Sequence, residues 1–76
     1  MSTPKFDTLK ISVQLVIDLM ANKEFSKANF KLTEASDLLD EILDFSDDDE
    51  DLIEISRYQV LLNQLQMKIN AAGSNN

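Results

Sequence analysis

Apolar residues recur along this chain at alternating steps of three and four, in three separate stretches. Phe6, Leu9, Val13, Val16 and Met20 form the first stripe. Phe25, Ala28, Leu32, Ala35, Leu39 and Ile42, widened by Leu38 and Leu43, form the second, and Ile55, Tyr58, Leu62, Leu65, Ile69 and Ala72 the third. Such steps keep side chains on one face of a helix with about 3.6 residues per turn, so each stretch predicts an amphipathic helix. The breaks between stripes hold residues that start and stop helices. Thr3 can cap the first helix with Pro4 at its first position, where the missing N–H costs nothing. Asn22-Lys23 makes a tight connection, Ser46 to Asp49 offers several N-caps, and Gly73 is a natural stop. The predicted helices are 4–21, 24–45 and 48–72, with 73–76 a frayed tail. No window alternates with period two over a strand's length and no Asn-Gly or Asp-Gly turn occurs, so the fold class is all-α. Short connections place neighbours antiparallel. The expected architecture is a small antiparallel three-helix bundle, with 1–76 a single domain. A helical hairpin that exchanges its third helix with another subunit is the less regular alternative.

Composition narrows the chemistry. The chain has 76 residues, 43% apolar and 28% charged, which suits a folded domain with one thin core and makes help from a partner or an oligomer a standing expectation. It has no cysteine, histidine or tryptophan. Thiolate chemistry, disulfides, zinc sites of the usual nitrogen and sulfur type and imidazole proton transfer are therefore excluded. The start lacks a basic segment followed by an apolar one, and no apolar run reaches the length of a membrane span. The chain reads as soluble, unexported, complete and cytoplasmic.

Charge is segregated. Residues 32 to 56 carry eleven acids and no base, while the first 31 residues hold five lysines against Asp7, Asp18 and Glu24. The net charge is −7. So acidic a segment repels nucleic acid and anionic membrane and attracts basic surfaces over a Debye length of about 8 to 10 Å. Glu34, Asp37, Glu41 and Asp44 fall on one face of the second helix, with Asp40 at its margin and Phe30 at its N-terminal end. This face either keeps the chain soluble or docks a basic protein partner, with Phe30 as an apolar anchor. As a special case, carboxylates about 5 to 6 Å apart along a helix could imitate a phosphate row and block a DNA- or RNA-binding protein.

Two further apolar lines remain outside the stripes. Ile11, Leu15 and Leu19 widen the arc of the first helix and are read as core. Ile53, Val60 and Met67 recur every seven residues on the far side of the third helix, flanked by Arg57, Gln64 and Gln66. A line opposite the main seam cannot face the same core, so it predicts a surface for a partner or for self-association. The run from Asp47 to Asp51 matches the first, third and fifth positions of an EF-hand loop, but Leu52 stands where glycine is needed and Tyr58 where a bidentate glutamate is needed. No metal site or cofactor is assigned. The acids lie on helix surfaces or in a turn, and neither a phosphate-binding glycine loop nor a Ser-His-Asp set occurs, so no catalysis is expected.

The run Lys23-Glu24-Phe25-Ser26-Lys27-Ala28, followed by Leu32 and Ala35, resembles the second half of a tetratricopeptide repeat, and Leu15 and Leu19 fall where that repeat's first helix has large apolar residues. The likeness covers roughly residues 12 to 39. It departs at Val16, where the family has a small residue, and at Asp40, where it commonly has proline. Three helices in a chain of this length, with an aromatic-x-x-alanine start to the second, are also similar to microtubule-interacting and transport domains. Either resemblance implies peptide or protein binding. The expected function is a non-catalytic interaction module, an adaptor, regulatory subunit or inhibitor. It would act through Phe30, Glu34, Asp37, Glu41 and Asp44, through Ile53, Val60 and Met67, or through both.

Overall fold

The computed structural model describes residues 4–73 and contains three helices, α1 (Pro4–Ala21), α2 (Phe25–Asp44) and α3 (Asp49–Gly73). Among the described residues there is no strand. Glu24, Phe45 and Asp48 prove to be flanking residues, not helical ones, a one-residue difference within the usual fraying of helix ends. Gly73 is the last helical residue instead of the first beyond the helix. The expected Thr3 cap and the tail after Gly73 lie outside the described residues.

Both connections are built from hydrogen bonds that the helix ends leave unused. The Glu24 N–H donates to the Leu19 carbonyl at 2.8 Å and the Lys23 N–H to that of Met20 at 3.0 Å. This nested pair closes α1 as a Schellman motif and forces Lys23 to a φ of 62°. Glycine holds that left-handed position without the steric cost of a Cβ. Lys23→Gly is therefore expected to raise the unfolding free energy by up to about 1 kcal/mol, measurable by urea titration, whereas Lys23→Val should lower it. At the other connection, the Ser46 hydroxyl donates to the Ile42 carbonyl at 2.6 Å. Ser46 thus closes α2, and the first turn of α3 falls to Asp49, Glu50 and Asp51, whose charges oppose the positive end of its dipole.

α1 and α3 each pack along α2 and approach one another less closely. The molecule measures 43 × 17 × 16 Å, and α3, about 37 Å long by its residue count, spans most of that length. The core is the meeting of the three stripes. Leu9, Val13 and Val16 of α1, Ala28, Leu32, Ala35, Leu39 and Ile42 of α2, and Ile55, Leu62, Leu65 and Ile69 of α3 are buried together. Phe6, Met20, Phe25, Leu38 and Tyr58 pack at its edge, and so does Leu61, which the stripes had not included. Leu43 departs from the expectation and stays exposed, since α2 ends one residue later and leaves little to cover it.

Phe6 and Tyr58 lie nearly parallel with ring centroids 6.0 Å apart, a direct link between α1 and α3. Partial burial pushes the Tyr58 phenol above its ordinary pKa of 10.0, and the Glu54 and Asp7 carboxylates add to the shift. The folded state thus holds the phenolic proton more tightly than the unfolded state. Its contribution to stability is intact below the unfolded value and is lost as pH rises from there through the folded value. Thermal midpoints of the native chain should fall from about pH 10 upward, and Tyr58→Phe, which keeps the stack, should remove that part of the decline.

Candidate functional site

Three surfaces stand out once the core is accounted for. The first is the outer face of α2. Glu34, Asp37, Asp40, Glu41 and Asp44 are all exposed, so the carboxylates form a solvated crest as their spacing predicted. Lys31 pairs with Glu34 at 2.9 Å at one end of this crest. Like charges three and four residues apart repel, so the crest weakens the helix that carries it.

The second surface is the back of α3. Ile53, Val60 and Met67 are 55%, 58% and 69% exposed and form a line opposite the buried Ile55, Leu62, Leu65 and Ile69. Successive members are about 10 Å apart along the axis. Arg57, beside them, pairs locally with Glu54 at 3.0 Å. Gln66 does not rim this row, as its sequence position had suggested. It turns toward α2, where its amide donates to Asn29 at 3.0 Å, and it also reaches Asn70 at 3.0 Å.

The third surface corrects the sequence reading. Ile11 is 63% exposed and Leu15 is also exposed, so these two members of the second apolar line of α1 do not enter the core, whereas Leu19 packs against its edge. The physical reason is helix geometry: Ile11 and Leu15 each stand two residues beyond a buried one, Leu9 and Val13, so they point to nearly the opposite side of α1. Leu15 and Leu19 instead form the floor of a surface cleft of about 490 Å³ between α1 and α2, together with Phe30, Ser26, Lys27 and Lys31. Phe30 therefore has lysines, not carboxylates, as its neighbours in the cleft, although it shares the outer side of α2 with the acidic crest. Lys27 pairs with Glu24 at 3.1 Å. Sequence reasoning had each part of this cleft in hand, the extra line on α1 and an isolated aromatic on α2, but did not join them. The lysines at steps of four from Lys23 to Lys31 were the signal that this end of α2 differs in charge from the other.

A smaller groove between α2 and α3 has Leu39 and Leu62 beneath Ser36, Asp40, Gln59 and Asn63. Among the described residues no three acids converge in a way that could hold a metal ion, and no helix is long and apolar enough to cross a membrane. Fold and surfaces together define a small, acidic, all-α three-helix bundle whose apolar residues are divided between one core and two exposed faces. No family model, curated protein or solved structure matches the chain.

Proposed function

We propose that this chain is a non-catalytic protein-interaction module that works in the cytoplasm, as an adaptor, regulatory subunit or inhibitor. The observation that carries this reading is the exposed row Ile53, Val60 and Met67 on the back of α3. An isolated exposed aliphatic residue means little, but three in line at heptad spacing form a strip of the kind that receives a partner helix or a groove edge. The acidic crest of α2 supplies the second element, long-range attraction for a partner with a basic surface. The resemblance to tetratricopeptide and microtubule-interacting and transport helices points to the same class of function. Its aromatic and alanine positions, Phe25, Ala28 and Ala35, are occupied here by core residues.

The test is capture of partners from the source cells by the immobilised chain, at low and high salt, with two sets of variants. Val60→Asp with Met67→Asp should weaken the captured complex at least about tenfold, the usual scale for an interface anchor. Because both sites are exposed, the fold should change by no more than about 0.5 kcal/mol. Glu34→Gln, Asp37→Asn, Glu41→Gln and Asp44→Asn together should slow association and flatten its salt dependence. A nucleic-acid mimic would differ: these neutralising changes would abolish binding, the α3 changes would not, and duplex DNA or RNA would compete. Capture that survives both sets would sink the proposal.

A further inference from the structure

Two features at opposite ends of α2 are chemically complementary but cannot meet within one chain. At the N-terminal end lies the α1–α2 cleft, with Leu15, Leu19 and Phe30 in its lining and Lys27 and Lys31 beside them. At the C-terminal end stands Phe45, 85% exposed, the most exposed of the large apolar side chains described. Asp44, Asp47 and Asp48 are its neighbours in sequence. An aromatic ring among carboxylates fits an apolar cleft flanked by ammonium groups. Fifteen residues separate Phe30 from Phe45, about 22 Å along the helix, so a chain cannot fill its own cleft.

We propose that the cleft is filled by Phe45 of a second copy of this chain, in a reciprocal exchange about a two-fold axis that crosses α2 near Leu38. Phe30, Glu34, Leu38, Glu41 and Phe45 follow at steps of four and three, so they form one line along α2. An antiparallel copy laid on that line brings each Phe45 to the other's Phe30 and sets Lys27 and Lys31 against Asp44 and Asp47. Both clefts are satisfied at once and no surface is left to propagate, which is the condition for a closed dimer. The pairs that Lys27 and Lys31 make with Glu24 and Glu34 are on exposed surface and exchange at little cost. Glu34 and Glu41 of the two copies oppose the contact near its centre, so the dimer is expected to be reversible. The row on the back of α3 stays outward, so the dimer leaves that partner surface free, whereas Glu34, Glu41 and Asp44 of the acidic crest fall within the contact and are covered in the dimer.

Sedimentation equilibrium of the full chain over a concentration series tests this. A monomer–dimer equilibrium is expected, and Phe45→Ala, at an exposed site beyond the end of α2, should raise its dissociation constant at least about tenfold with no loss of fold. A charge exchange is more specific. A chain with Lys27→Glu and Lys31→Glu, and another with Asp44→Lys and Asp47→Lys, should each fail to dimerise alone. Mixed, they should form a heterodimer, because opposite charges then meet at both clefts, and its recovery also proves that both chains fold. A monomer at every concentration, a dimer indifferent to Phe45→Ala, a dimer lost on Val60→Asp alone, or growth beyond two copies would overturn the proposal.

Discussion

Leu32→Ala is expected to cost about 3 kcal/mol of unfolding free energy, within the usual range for removing a leucine side chain from a packed interior. Leu32 is 1% exposed and sits mid-helix in α2, the one element packed along both others, so the lost volume borders the whole core. A domain of this length holds about 4 to 11 kcal/mol in total. The variant should thus keep only about 1 kcal/mol if the total lies at the low end of that range, with a urea midpoint lower by about 2 M if the slope is near 1.5 kcal/mol per molar. Phe30→Ala, two residues earlier, removes a larger side chain from the cleft and should change stability by no more than about 0.5 kcal/mol. Far-UV urea titrations of both variants would settle the contrast. Equal effects would mean that the stripe Phe25, Ala28, Leu32, Ala35 does not mark the buried side of α2.

That contrast also shows what the sequence could and could not convey. Helix period is a local property, and the three buried stripes follow from it almost residue by residue, including the smaller Ala28 and Ala35. The line Ile53, Val60 and Met67 was placed on the exposed side for the same reason, because half a turn of helix separates it from Ile55 and Leu62. Ile11 and Leu15 were legible by the same rule, since each stands two residues from a buried one, Leu9 and Val13, but the arc of α1 was taken as wide enough to include them. Gln66 was misplaced for a non-local reason: its partner, Asn29, lies 37 residues away on another helix. Phe30 was read through its carboxylate neighbours on α2, whereas its surroundings are set equally by Leu15 and Leu19 across the cleft. Phe45 drew no attention because it was counted only as the last residue of the second helix and belongs to no stripe, whereas it lies just past the end of α2 and is almost fully exposed.

Ala35→Leu is expected to lose about 2 to 3 kcal/mol, the upper part of the range for forcing extra methylenes into a filled space. Ala28 and Ala35 are both 0% exposed and stand seven residues apart, so they lie on one line of the core face of α2. Lys27 and Lys31 mark the side of α2 turned to α1, since they line the cleft, and Asn29 marks the side turned to α3 through Gln66. By helical position Ala28 and Ala35 lean toward α1, the helix that α2 contacts most extensively. A methyl group at each place lets the two backbones approach, and a leucine there would have to part them. Ala35→Gly should be worse than alanine as well, by about 1 kcal/mol, through lost helix propensity, whereas Ala21→Leu, on the exposed end of α1, should stay within about 0.5 kcal/mol. Stability with a maximum at alanine and losses on both sides would identify Ala35 as a spacer that sets the α1–α2 distance, and with it the width of the cleft at Leu15 and Phe30. A leucine tolerated at this position would mean that the helices have room to spare, and the packing basis of the tetratricopeptide resemblance would fall.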